Sequence, residues 1–319
     1  MDEFGLIEAF FKRTPQSPEI LLGMGDDAAL VAACAPDSAY VLTTDTLVAG
    51  IHFPENAPGF DVGYKALAVN VSDLAAMGAR PIGFLLNLTL PGVDERWLAH
   101  FRDGLFVLAD SLPMDVIGGD TVRGPLAVTI TALGEVPKAQ ALRRSGARVG
   151  DRVYVSGFLG DAALGFLSRA GTVSLPEEFC AGVLARLDRP RPRIEEGQAL
   201  RSLASSAIDL SDGLVADLGH ILQASGVGAE LDLRRLPLSD AYRAVFRTVG
   251  YDPALSFGDD YELCFTVPPE RLPAFEEIVP HFRCGFHYLG DIVAGAGLTL
   301  RTDAGVYAPA VAGFDHFHA

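Results

Sequence analysis

The chain has 319 residues, 49% hydrophobic and 21% charged, with 41 acidic against 25 basic side chains and a formal charge of −16. That length predicts two domains and that composition a large folded core. The charge disfavours nucleic acid and anionic membrane as partners, and it also repels a phosphorylated substrate, so any phosphate chemistry must be organised by local cations.

Residues 5–13 read as a short amphipathic helix and 40–45 as a buried strand ending in polar residues. Residues 62–77 are Ala-rich with helical spacing and close at Gly78, a helix stop. A strand over 82–90 ends at Pro91-Gly92, and a second helix spans 94–111. Residues 115–120 read as a strand running into a Gly118-Gly119 turn, and 126–136 as a Thr/Val-rich strand. The basic stretch over 137–151 sets the domain boundary, which predicts domains over 1–140 and 141–319. Beyond it come a strand over 152–155, a Gly-rich turn entering a helix, an Arg/Pro loop over 185–194, a strand over 207–210, a helix over 211–224 and a helix near 270–279. Interleaved strands and helices make the class α/β or α+β.

No apolar run approaches the ~20 residues of a membrane span. The N-terminus lacks the regions of a signal peptide. Cys34, Cys180, Cys264 and Cys284 form no Cys-x-x-Cys pair, which points away from zinc and disulfides and towards the cytoplasm.

The informative pattern is Asp after small or hydroxyl residues, past an apolar run: Gly25-Asp26-Asp27, Thr43-Thr44-Asp45, Val71-Ser72-Asp73, Gly118-Gly119-Asp120, Asp209-Leu210-Ser211-Asp212 and Gly258-Asp259-Asp260-Tyr261-Glu262. Strand ends of α/β folds carry such residues to a crevice where ligands bind. Hard oxygen donors of this kind suit Mg²⁺ bridging carboxylates to phosphates. Each string is also what a helix N-cap or a turn uses, as for Asp73 and Asp212. The recurrence favours metal for the set, because converging carboxylates repel unless a cation lies between them. No P-loop string occurs. Gly118-Gly119 allows close backbone approach to a ligand, Arg144 offers a guanidinium, and Gly157-x-x-Gly160 fits either a phosphate turn or helix packing. Lys65 reads as a phosphate partner or a solvated-face residue, and no Ser/His/Asp nucleophile set is legible.

Together, and in order, Gly25-Asp-Asp-Ala-Ala29, Thr43 to Phe53, Lys65 to Ala79, Gly118-Gly-Asp-Thr121, Arg144-Ser-Gly-Ala147, Asp209 to Leu214 and Gly258 to Leu263 resemble the thiamine-monophosphate kinase family of the aminoimidazole-ribonucleotide-synthetase-like superfamily. The resemblance implies an N-terminal α/β domain forming a β-barrel across a homodimer, and a ferredoxin-like C-terminal α/β domain. It implies γ-phosphoryl transfer from ATP to thiamine monophosphate with several Mg²⁺ ions. By position, Asp26, Asp27, Thr43, Thr44, Asp45, Asp73, Asp120, Asp209 and Asp212 are the implied metal ligands. Asp45, Asp73 and Asp120 are the implied catalytic set. Gly119, Asp120, Arg144 and Ser211 are implied at ATP, and His52, Glu262 and Phe314 at the acceptor. The family often has Tyr near the nucleotide where this chain has Phe101, and Trp where it has Phe314. A non-catalytic nucleotide or metal sensor on the same scaffold is the competing reading, and none of the ligand carboxylates is missing.

Overall fold

The computed structural model describes residues 3–24, 28–311 and 313. It divides into two compact units, one of Met1–Leu74 with Ala79–Ala139 and one of Ala75–Gly78 with Gln140–Ala319.

The elements of the first part of the chain are α1 (Glu3–Phe10), β1 (Ile20–Leu22), β2 (Leu30–Val31), β3 (Ser38–Val48), α2 (Gly59–Ala76), β4 (Arg80–Leu90), α3 (Glu95–Ser111), β5 (Asp115–Arg123) and β6 (Ala127–Pro137). The four long strands form one sheet in the order β3-β6-β4-β5, with β4 and β5 parallel and the other pairs antiparallel. Helix α3 is the crossover that a parallel pair requires, and Asp94 starts it by accepting from the amides of Arg96 and Trp97, each at 3.0 Å. α2 ends before Gly78, whose φ of 66° is the expected stop.

Alternation gives this sheet two unlike faces. The row Asp45, Ile130, Leu86 and Gly119 lies on the face that holds the apolar core, where Ile130 and Leu86 are buried. The adjacent row Thr46, Thr129, Asn87 and Asp120 lies on the other face. The β1–β2 hairpin covers one end of that outer face, packing Ile20 on Ile82, Ile117 and Leu133. Leu42, Leu85 and Val122 are exposed on the rest of it.

The second part contains β7 (Arg152–Ser156), α4 (Asp161–Arg169), α5 (Glu177–Asp188), α6 (Ile194–Ala199), β8 (Ser206–Asp209), α7 (Leu214–Ser225), β9 (Gly228–Asp232), α8 (Asp240–Val249), α9 (Asp252–Ser256), β10 (Leu263–Val267), α10 (Leu272–Ile278), β11 (Phe286–Val293), β12 (Gly297–Thr302) and β13 (Gly305–Tyr307). Its seven strands run β13-β12-β9-β11-β7-β10-β8, antiparallel except for β12 on β9. Val153, Val155 and Cys264 on the inner strands and Ile208 on the edge strand β8 meet Leu164, Leu218 and Ile221 from the helices in one core. Both halves are thus mixed α/β. No helix among the described residues is long and apolar enough to cross a membrane.

Three local expectations need correction. β5 does not turn at Gly118-Gly119 but continues to Arg123, because β4 pairs with it through Leu90. Residues 185–194 are not a plain loop: α5 runs to Asp188 and α6 starts at Ile194. α7 begins at Leu214, so Ser211 and Asp212 precede it. Gly157 and Gly160 serve packing: a Cβ on Gly160 would lie 2.5 Å from the Tyr242 ring.

Candidate active site

The first group of site residues is built where β3 meets α2. The Thr43 hydroxyl donates to Asp73 Oδ2 at 2.5 Å. The Asp45 amide donates to the side-chain oxygen of Asn70 at 3.0 Å, and Asn70 donates in turn to the Ala66 carbonyl at 3.0 Å. Asn70 and Asp73 stand one helical turn apart, so α2 presents both to the same strand edge. Asp73 therefore lies inside α2 and caps nothing. Thr44 points to the opposite face, where its hydroxyl meets Thr131 at 3.0 Å and the Ile130 carbonyl at 3.1 Å. His52 Nδ1 accepts the Val48 amide at 3.0 Å, which puts the proton of a neutral ring on Nε2. Lys65 is 4% exposed, which excludes the solvated-face reading.

Asp120 is held elsewhere. β3 and β5 are opposite edges of the four-stranded sheet, three strand spacings apart, or roughly 14 Å at about 4.8 Å per spacing. Asp45 and Asp120 also sit on opposite faces. The fold of one chain thus unites Thr43, Asp45, Asn70 and Asp73 but not Asp120. Gly119 is backbone-limited: a Cβ there would lie 1.8 Å from the Leu86 carbonyl oxygen. Phe101 is buried and stacked on Trp97 at 5.3 Å, so it belongs to the core.

The second group surrounds the end of β8. Asp209 is buried opposite Leu263 on β10. The next residues are laced to the loop before β10: Leu210 donates to the Glu262 carbonyl at 2.8 Å, Tyr261 to the Leu210 carbonyl at 2.8 Å and Asp259 to the Ser211 carbonyl at 2.9 Å. Asp259 and Tyr261 take left-handed conformations at φ 61° and 49°, unusual for non-glycine residues. Asp212 is not a side-chain cap, because Gly213 is the N-cap of α7. Asp217 reaches back from the first turn instead and accepts the amides of Asp212 at 3.0 Å and Gly213 at 3.1 Å. Burial pushes its carboxyl up to about 7. The similar strings Asn70-Val-Ser-Asp73 and Asp209-Leu-Ser-Asp212 fold differently: the first is helix interior, the second a strand end and turn.

Glu262 is fully enclosed in this unit. Arg193 grips it with two nitrogens, Nε to Oε2 at 2.6 Å and Nη2 to Oε1 at 2.5 Å. Arg186 Nη2 donates to Oε1 at 2.6 Å and the Ser156 hydroxyl to Oε2 at 2.6 Å. Burial alone would raise its pKa; the two guanidinium groups outweigh that and hold it below the ordinary range. Gly157 is required beside it, since a Cβ would fall 2.2 Å from Oε1. Neither arginine stands out in the sequence. Their only signal is the Arg/Pro string that reads as a loop.

Arg144 is exposed, and its carbonyl accepts from the Ser225 hydroxyl at 3.4 Å. Asp26, Asp27 and Phe314 lie outside the described residues. Gly313, just before Phe314, lies against the Asp212 carbonyl and Ala216. Among the described residues no three His, Cys, Asp or Glu side chains group as a ready metal site. The first group offers only oxygen donors around Asp45 and Asp73, which fits a Mg²⁺ ion that takes one or two protein carboxylates and completes its shell with water and phosphate.

Comparison with known proteins agrees with this architecture. Residues 25–136 match the model for the AIR synthase related protein N-terminal domain, and residues 148–303 its C-terminal domain. The thiamine-monophosphate kinase of Escherichia coli strain K12 is 47% identical over 319 residues, 99% of this chain and 98% of that protein. The crystal structure of thiamine-monophosphate kinase from Stenotrophomonas maltophilia K279a superposes with a TM-score of 0.84 at 45% identity, over 89% of this chain and 92% of that one. A structure described as AaThiL complexed with AMPPCP and TMP superposes with a TM-score of 0.76 at 32% identity, over 89% and 91%. The chain belongs to the thiamine-monophosphate kinase family of AIR-synthase-related proteins.

Proposed function

We propose that this chain transfers the γ-phosphoryl group of ATP directly to thiamine monophosphate, giving ADP and thiamine diphosphate, the last step of thiamine diphosphate synthesis. The likeness to thiamine-monophosphate kinases across 99% of the chain carries the reading.

The chemistry fits the residues. A phosphate monoester is largely ionised near neutral pH, so its oxygen attacks without a strong general base. The work is alignment and charge neutralisation. Asp45 and Asp73 would hold Mg²⁺, which would supply neutralisation of phosphate charge. On the protein side, Thr43 orients the Asp73 carboxylate and Asn70 fixes the backbone of Asp45, so both positions are partly preorganised before substrate arrives. Asp209 and Asp212, with Asp26 and Asp27, extend the set. Gly119, Arg144 and Ser211 serve ATP; His52, through its Nε2 proton, Glu262 and Phe314 serve the acceptor.

The protein acts as a homodimer. Leu42 (69% exposed), Leu85 and Val122 are exposed among Thr44, Thr46, Thr129 and Thr131 on the outer face of the four-stranded sheet, and a second copy covers them. The same pairing explains the split between Asp45 and Asp120: Asp120 of the partner subunit completes the ligand set that one chain cannot assemble.

The test is ADP release from ATP and Mg²⁺ with and without thiamine monophosphate. The reading expects release only with the acceptor, matched by thiamine diphosphate formed. ADP release indifferent to the acceptor would overturn it.

A further inference from the structure

The Glu262 network has one outlet. Glu262 and Arg193 side chains are 1% and 5% exposed, whereas that of Arg186 is 30% exposed. The carboxylate already accepts four hydrogen bonds, two at each oxygen. A carboxylate so enclosed and so fully matched is a poor direct ligand for a substrate. A guanidinium has five N–H donors in a planar fork, and Arg186 uses Nη2 on Glu262.

We propose that Arg186 is a substrate-binding residue that takes a phosphate group, and that Glu262 is the positioning residue that aims it. This rests on the kinase reading and refines the role given there to Glu262. The geometry supplies the preorganisation. Arg193, gripping Glu262 with two nitrogens, fixes the carboxylate; the carboxylate fixes one edge of the Arg186 guanidinium; the rest of the fork is left for oxygens. Asp161 and Asp260 also face Arg186. Each has a partner of its own: the Ser239 hydroxyl donates to Asp161 at 2.5 Å and the Gly160 amide to Asp260 at 3.0 Å, and burial raises both carboxyls, Asp260 well above its ordinary value. A pinned guanidinium also answers the problem set by a chain of charge −16, which repels phosphates everywhere except at local cations.

Thiamine monophosphate and ATP both carry a phosphate, and kinetics tell them apart. Steady-state constants for both substrates would be measured for R186M, R186K, E262Q and R186M/E262Q, with unphosphorylated thiamine as a competitive inhibitor. R186M is expected to raise the KM of one phosphate-bearing substrate about tenfold or more, with a smaller change in kcat and melting temperature. If the source is the acceptor, the thiamine inhibition constant stays put while the thiamine monophosphate KM rises; if it is ATP, only the ATP KM rises. R186K, which keeps charge but loses the fork, should recover part of the loss. E262Q should shift the same KM, and the double variant should be no worse than the poorer single one. KM values in R186M within about twofold of wild type for both substrates would overturn the proposal. So would an E262Q defect that R186M lacks, because Glu262 would then touch substrate itself. Acceptor-dependent ADP release by the unaltered chain tests the underlying kinase reading separately.

Discussion

Asp73 and Glu262 are two carboxylates on which the proposed chemistry depends, and the chain holds them in opposite ways. Asp73 is half-buried on α2 and takes a hydroxyl from Thr43. Glu262 is fully buried and takes two guanidinium groups and a hydroxyl. A hydroxyl orients a carboxylate without cancelling its charge. A guanidinium cancels it. The bond from Thr43 orients Asp73 and leaves its charge in place, whereas the guanidinium groups turn that of Glu262 into internal structure.

That contrast breaks if Asp73 proves to be structural. Asp73→Asn keeps the shape and the acceptor for Thr43 but removes the charge. We expect turnover to fall by about 10³-fold or more at saturating Mg²⁺, with a melting temperature close to wild type. Asp45→Asn should behave alike, since the Asp45 amide, not its side chain, holds the strand to Asn70. Near-normal rates in either variant would erase the distinction.

For the enclosed carboxylate the expected damage is to stability. Arg193→Met leaves Glu262 buried with half of its side-chain hydrogen bonds gone. Breaking a buried pair from one side costs about 3–5 kcal/mol, because the remaining charge stays desolvated. Urea denaturation reads this directly. The double variant R193M/E262M should recover much of the loss, as apolar groups of similar length need no partner. A single-variant cost below about 1 kcal/mol would mean that Glu262 simply protonates and that the pair is not central to the fold.

The two regions also differ in how far the sequence revealed them. Thr43, Asp45 and Asp73 stand in strings whose order is distinctive, and the alternation of β3 with the spacing of α2 predicts strand and helix correctly. What the strings withhold is adjacency. Period-two alternation places Asp45 and Asp120 on faces of their own strands, but only the order β3-β6-β4-β5 shows that those strands are opposite edges. Strand order is set by long-range pairing, which no local pattern records. Local propensity also misread Gly118-Gly119, where pairing with β4 overrides the tendency of glycine to turn. Capping was the ordinary reading of Asp212; Asp217, five residues on, does that work because it is inside the first turn and buried. Arg186 and Arg193 lay in a string rich in proline and arginine, and nothing there marks two side chains that fold back onto a glutamate some seventy residues later.

The smallest expected effect is in acid, and it sharpens the same comparison. Burial would raise the Glu262 pKa, but its guanidinium partners bring it below the 4.5 of an ordinary glutamate. The folded state thus binds this proton more weakly than the unfolded chain does. The stabilisation is complete above 4.5 and is lost as pH falls through the lower folded value. E262Q has no such proton to bind. Its deficit against wild type should be constant at neutral pH and shrink below pH 4.5, by at most about 1.4 kcal/mol per pH unit. Urea midpoints taken at a series of pH values give both curves. A deficit that stays level down to the acid transition would mean that Glu262 has the same proton affinity folded and unfolded, and that the arginines only balance its burial without lowering its pKa.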